Sequence, residues 1–124
     1  MAVFVTEIAG GVSQTPAPGQ TVPSGTVSIP FQAFKQSSTR HHHSVVTGSG
    51  AADAVLSMGP VTNAKFLLIQ KQNNGTLKLK ITTADGAQQI VPVGRMFVLD
   101  TPDKPVTAIL FTFSGDFEVF LSEW

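Results

Sequence analysis

Three consecutive residues, His41, His42 and His43, are the only histidines of the chain and the side chains best suited to chemistry. In an extended strand His41 and His43 would point to one face and His42 to the other, so one chain offers two adjacent imidazoles. Zinc normally takes four ligands, or three from the protein at a catalytic site. A His-x-His pair is therefore incomplete in one copy, although three copies around a threefold axis would bring together enough nitrogens for a first-row metal.

The surrounding sequence makes His41 and His43 weak candidates for metal ligands. Arg40 would place a positive charge beside the ion, and no acidic residue lies between Glu7 and Asp53 to orient the rings. Cupin metal sites require a glutamate soon after His-x-His, and here a serine and two valines follow instead. We therefore expect no bound metal and no cofactor.

Other catalytic arrangements are not indicated. Acid–base catalysis needs paired carboxylates or a carboxylate close to a histidine. The five aspartates fall mainly at turns, where they bend or cap the backbone: Asp53, Asp85, Asp100, Asp103 and Asp116. The chain has no cysteine, which excludes thiol catalysis and thiolate metal sites. We expect that the protein is not an enzyme.

Composition points to assembly with other protein. Charged residues are 13% of the chain and hydrophobic residues 42%, whereas an ordinary soluble domain has about 25% charged residues. The formal net charge is zero, which gives no steering toward nucleic acid or anionic lipid, and we expect neither as a partner. A surface with so few charges favours burial against other protein, either in a homo-oligomer, a dimer or trimer, or against a partner protein. Alternatively, the plentiful uncharged polar residues could keep this surface in contact with water.

The hydrophobic pattern predicts an all-β fold. Leu77, Leu79 and Ile81 alternate with polar residues, and Asn73-Asn74-Gly75 predicts a hairpin between Lys65–Gln72 and Thr76–Thr83. About eight short strands indicate a two-sheet antiparallel sandwich, best fitted by a jelly roll, with an immunoglobulin-like sandwich as the alternative. The other predicted strands are Thr26–Phe34, Ala54–Met58, Gln88–Val93, Arg95–Leu99, Val106–Phe113 and Phe117–Ser122.

The first 25 residues differ from the rest. A short apolar stretch that includes Val3, Phe4 and Val5 precedes a Gly-, Pro- and Ser-rich segment with linker composition. We predict an extended N-terminal arm and linker at residues 1–25 and a β-sandwich domain at 26–124. The arm could add a strand to a neighbouring subunit, or the same stretch could pair within its own domain. Predicted interface residues are Val3, Phe4 and Val5 of the arm and His41, His42 and His43 of an exposed loop from Gln36 to His43.

Three segments in the second half resemble small β-sandwich virion proteins of tailed bacteriophages. They are GPVTNAKFLLIQKQNNGTLKLKIT from Gly59, VPVGRMFVLDT from Val91 and VTAILFTFSGDFEVFLSEW from Val106. The likeness lies in core strands, so no contact residues are carried over. It implies a jelly-roll capsid decoration, or cement, protein.

The resemblance implies a protein located on the capsid surface of the virion and assembled in the host cytoplasm. Its partner would be the major capsid protein or another virion protein, whose subunits it would bridge and stabilise. Two alternatives stay open: a receptor- or glycan-binding β-sandwich module of a phage tail or similar assembly, and a cupin-like enzyme.

Overall fold

The structure, a computed structural model, describes residues 4–14, 18–19, 27–32, 34–47 and 53–124. The described residues form twelve strands and no helix, which confirms the all-β prediction. The strands are β1 (Phe4–Ile8), β2 (Gly11–Gln14), β3 (Val27–Pro30), β4 (Phe34–Ser38), β5 (Arg40–Val46), β6 (Ala54–Val55), β7 (Phe66–Lys71), β8 (Leu77–Thr83), β9 (Gln88–Val93), β10 (Met96–Asp100), β11 (Val106–Phe113) and β12 (Phe117–Glu123).

Two antiparallel sheets of four strands form the sandwich. The first sheet has the strand order β10-β7-β12-β5 and the second has the order β6-β11-β8-β9. The predicted alternation along β8 is confirmed, since Leu77, Leu79 and Ile81 are buried in a core cluster that also contains Phe117 and Val119 of β12. Burying each such side chain stabilises the fold by about 1.5–3 kcal/mol before the entropic cost of ordering it.

The predicted hairpin around Asn73-Asn74-Gly75 is wrong. β7 belongs to the first sheet and β8 to the second, so the turn carries the chain from one sheet to the other. The turn at Ser114-Gly115-Asp116 makes the same crossing in the opposite direction, from β11 to β12. The cause is that each of these strands is more stable between two partners of its own sheet than beside its neighbour in sequence. The β8–β9 hairpin around Asp85-Gly86 is a true hairpin.

The antiparallel pairings of the sandwich are nested. β5 pairs with β12, β6 with β11, β7 with β10 and β8 with β9. The remaining pairings, β7 with β12 and β8 with β11, join these nested pairs into the two sheets. From β5 to β12 the strands therefore pair in the order of one long hairpin, and this hairpin is folded into the two sheets.

The predicted loop from Gln36 to His43 is also wrong. Its residues lie in β4 and β5, with Thr39 between the two strands, and every residue of β5 has a partner in β12, from Arg40 opposite Glu123 to Val46 opposite Phe117. Serine, threonine and histidine have polar side chains but accept extended backbone, and a paired neighbour strand decides their conformation.

The chain divides into two compact units, of which the first comprises Met1–Phe4 and Ser38–Trp124 and the second comprises Val5–Ser37. In the second unit β2 pairs with β3, and the cross-strand pair Val12 and Ile29 is exposed. β1 pairs with β4 of the same chain, which is the alternative to an arm that reaches a neighbour. The proposed boundary between residues 25 and 26 stays a prediction, and Val3 lies outside the described residues.

Among the described residues, there is no helix with the length and apolar character needed to cross a membrane.

Candidate functional site

The three histidines lie on β5, the edge strand of the first sheet. Directly opposite residues of an antiparallel pair share a face, and His42 is opposite Leu121, whose side chain is in the core. His41 and His43 therefore lie on the outer face of the sheet, opposite Ser122 and Phe120. The alternation predicted from the sequence is correct, although the segment is a strand and not a loop.

His41 and His42 are packed against apolar and backbone groups. The His41 ring meets the Phe4 ring edge-on, with 4.3 Å between ring centroids. A Cβ added to Gly59, whose φ is +57°, would collide with the His42 ring. His41 Nδ1 and His42 Nε2 are buried without a hydrogen-bond partner among the described residues, which makes these two rings part of the packing.

His43 has a carboxylate partner that the sequence did not reveal. Its Nε2 lies 2.6 Å from Glu118 Oε2, and Glu118 Oε1 accepts a hydrogen bond from Gln72 Nε2 at 3.3 Å. The lack of an acidic residue close to the histidines in the sequence was therefore misleading. The carboxylate that contacts His43 comes from β12, 75 residues away along the chain. Among the residues that the structure describes, there is no group of three or more His, Cys, Asp or Glu side chains placed to hold a metal ion.

The outer face of the first sheet carries an apolar row. The register sets Val98, Leu68, Phe120 and His43 side by side across all four strands. A second row places the exposed Met96 and Val45 at its ends, with Gln70 and Glu118 between them. We call these two rows the outer face. A shallow depression of about 180 Å³ lies within them, lined by His43, Leu68, Gln70, Glu118 and Phe120.

The corresponding face of the second sheet carries lysine side chains. Its central row contains the exposed Val55 and Ile90, but Lys80 lies between them and pairs with Asp53 at 3.5 Å. Lys78 is exposed on the same face. The strands of the outer face carry no lysine or arginine on that side, which makes it the better surface for contact with protein.

A second, larger depression of about 520 Å³ adjoins the outer face. Its lining residues are Gln70, Lys71, Gln72, Asn73, Asn74, Arg95 and Met96. It contains two cations and four amide side chains, and it shares Gln70 with the smaller depression. Sequence reasoning missed Arg95 because the residue follows a turn glycine and belongs to no motif.

Phe120 and Leu68 could have been found from the sequence. Phe117, Val119 and Leu121 point into the core, so Phe120 must point outward, and an outward phenylalanine marks an apolar surface. Leu68 lies in an uninterrupted apolar run, Phe66 to Ile69, which indicates a strand with little water on either face. The neighbours of both residues, however, depend on pairings far apart in sequence.

The predicted N-terminal interface residues are exposed where the structure describes them. The side chain of Phe4 is 47% exposed and that of Val5 is 65% exposed. Exposure leaves both residues accessible to a partner, and their role stays a prediction.

Comparisons with protein-family models, with curated proteins and with solved structures find no match for this chain.

Proposed function

We propose that this chain is a structural assembly protein of a phage virion, a capsid decoration or cement protein that binds shell subunits through its outer face. The single observation that carries the proposal is the apolar row Val98, Leu68 and Phe120, which ends at His43 on the fourth strand and has the exposed Met96 and Val45 beside it. Apolar surface of this kind is stabilised when another protein covers it.

The strand connections support the jelly-roll class that the sequence resemblance implies. Nested pairing of eight strands in two sheets of four is the arrangement expected when a long hairpin folds into two facing layers. Such a sandwich presents two flat sheet faces, and a flat face can lie against a shell surface with little rearrangement of either partner.

Binding at many equivalent positions would make a modest interface sufficient. Each copy that contacts two shell subunits links them, because a subunit that separates must break its contact with the bridging copy. Stabilisation then arises from the number of bridges, and no chemical step is needed.

The test mixes the purified protein with expanded empty shells of the phage that encodes it. We expect stoichiometric cosedimentation and a higher melting temperature of the shells, since a ligand that binds only the assembled state stabilises it. A glycan array run in parallel addresses the receptor-binding alternative. Glycan binding without shell binding would overturn the proposal.

A matched pair of variants tests the face. Val98→Lys places a charge on the outer face, whereas Ile90→Lys makes the same kind of change on an exposed edge strand of the second sheet. Burying an unpaired ammonium is costly, so Val98→Lys should weaken shell binding by about tenfold or more, since each 1.4 kcal/mol is a factor of ten. Ile90→Lys should bind like the wild type, and the reverse order of effects would assign binding to the second sheet.

A further inference from the structure

The larger depression beside the outer face has a charge that the surrounding residues do not neutralise. Lys71 and Arg95 line it together with amide side chains, and no acidic residue contributes to the lining. Arg95 is exposed and forms no ion pair with any described residue. A guanidinium in this position has its full set of donors available to a ligand.

The backbone around Arg95 is fixed. The Arg95 carbonyl accepts a hydrogen bond from Lys71 N at 2.9 Å, which ties the start of β10 to the end of β7. The Lys71 ammonium donates to the Gly75 carbonyl at 2.7 Å and so stays on the loop at the rim. A side chain that starts from a fixed backbone loses less freedom when it binds.

The loop that lines the depression is held in place as well. Asn73 Oδ1 accepts hydrogen bonds from Gly75 N at 3.1 Å and from Asp116 N at 3.3 Å, which joins the two loops that cross between the sheets. Gln72 is held by its hydrogen bond to Glu118. The depression therefore has defined walls before any ligand arrives.

Glu118, which accepts a hydrogen bond from the lining residue Gln72, has both of its carboxylate oxygens engaged. One lies 2.6 Å from His43 Nε2 and the other accepts from Gln72. Its position is set by these contacts on the far side of Gln70, within the smaller depression. The larger depression therefore stays cationic, and Leu68 and Phe120 of the smaller depression lie next to it.

We propose that Arg95 and its depression bind a carboxylate on an acidic segment of the partner protein, whose adjacent apolar side chain lies on Leu68 and Phe120. The planar fork of arginine matches a carboxylate with two parallel hydrogen bonds. The shared wall at Gln70 places the acidic and apolar contacts next to each other. Leu68 and Phe120 beside the depression favour a protein segment, since such a segment can place an apolar side chain next to its acid.

This inference deepens the proposed function because it names the chemistry of the partner. Its test uses no shells, so the two can fail separately. The probe is a short capped peptide in which aspartate and glutamate alternate with leucine, and its counterpart replaces the acids with asparagine and glutamine. Binding is followed by NMR at low salt through the Arg95 Nε–H signal and the side-chain amide signals of Gln70 and Asn74.

We expect the acidic peptide to shift these signals and its neutral counterpart to leave them in place. Arg95→Gln should reduce affinity for the acidic peptide about tenfold or more, because it removes both the charge and the two parallel donors that hold the carboxylate. Arg95→Lys should retain part of the affinity, since it keeps the charge and loses the fork. Lys78→Gln, which removes an exposed cation from the second sheet, is the control of equal charge change and should bind like the wild type.

Several outcomes would overturn the inference. Equal losses for Arg95→Gln and Lys78→Gln would show attraction by overall charge only. Equal binding of the neutral peptide would exclude carboxylate recognition. Shifts produced by glucuronic acid and not by the acidic peptide would assign the depression to an acidic sugar. Thermal unfolding of each variant verifies that the fold is retained.

Discussion

Single residues far apart in sequence are connected by one carboxylate near the end of the chain. Glu123 is buried, and its Oε1 accepts hydrogen bonds from Asn63 N at 2.9 Å and from Thr62 Oγ1 at 3.0 Å. Its other oxygen lies 3.3 Å from Arg40 Nη1. The carboxylate thus joins the end of β12 to the segment before β7 and to the start of β5.

We predict that Glu123→Ala lowers the free energy of unfolding by about 2–3 kcal/mol, because the donors of Thr62, Asn63 and Arg40 lose their acceptor. Arg40 is half exposed and recovers part of its loss from water. Glu123→Gln keeps an amide oxygen and should cost less, about 1 kcal/mol. Urea unfolding measures both.

Asp103→Ala is the control for this prediction, because it removes an exposed carboxylate and should change stability by less than about 0.5 kcal/mol. If Glu123→Ala is as mild as the control, the carboxylate does not hold these segments together.

For individual side chains, the sequence predicts which face of a strand each residue lies on. Alternation along β5 correctly separated His42 from His41 and His43. The partner of His43 could not be predicted, because Glu118 becomes its neighbour only through the pairing of β5 with β12. Alternation fixes the face of a residue, and the residue it meets depends on register.

At the scale of elements, the loops that cross between the sheets are held closely together. Ser114 N donates to the Thr76 carbonyl at 2.9 Å, and Thr76 N donates to Ser114 Oγ at 3.2 Å. A Cβ on Gly75 would collide with the Ser114 carbonyl, and one on Gly115 would collide with the Asn73 side chain. Two loops that lie far apart in the sequence are therefore packed against each other.

We predict that Gly75→Ala lowers the free energy of unfolding by about 1–3 kcal/mol, because the added methyl has no room beside the Ser114 backbone. Gly94→Ala is the matched control, since nothing lies within 4 Å of its Cβ position and its φ is not in the left-handed region. This control should be neutral or stabilising by about 0.4–1 kcal/mol through the unfolded chain. Similar decreases in the free energy of unfolding for both variants would show that close packing of Gly75 against Ser114 does not stabilise the fold.

The turn between β8 and β9 contains Asp85, whose ionisation makes the free energy of unfolding depend on pH. The Thr83 hydroxyl, the Ala87 N–H and the Lys104 ammonium hold the pKa of the Asp85 carboxyl below its ordinary value of 3.8. Because the pKa is lower in the folded state, the stabilisation is present above pH 3.8 and is lost as the pH falls through the folded value.

Thr83→Val should raise the pKa of Asp85 toward 3.8, since it removes the first of these contacts. NMR titration of the Asp85 carboxyl carbon measures the change. Thr47→Val removes an exposed hydroxyl elsewhere and should leave that titration unaltered. An unchanged curve in Thr83→Val would show that the hydroxyl does not stabilise the ionised form.

The strands themselves could be predicted well, and their partners less so. Gln88–Val93 and Val106–Phe113 have the bounds expected from the sequence. The predicted pairing of β7 with β8 was wrong, because a turn rich in asparagine and glycine can connect either two strands of a hairpin or two strands of different sheets. The apolar run in β7 was the available signal, since a strand that excludes water on both faces favours the interior of a sheet over a lone hairpin.

For the whole molecule, few charges and an apolar outer face point to the same role. The all-β, two-sheet architecture followed from composition, alternation and turn spacing. The outer face could not be predicted, because Val98, Leu68, Phe120 and His43 become a row only when four strands from distant parts of the chain are in register. The central claim is that another protein covers this row.

A cryo-electron reconstruction of shells bearing the bound protein tests that claim most directly. We expect density at the junctions between shell subunits, with the sheet β10-β7-β12-β5 turned toward the shell and Val98, Leu68 and Phe120 in contact with it. Density in which this sheet faces solvent, or shells that carry no bound protein at saturating concentration, would contradict the account.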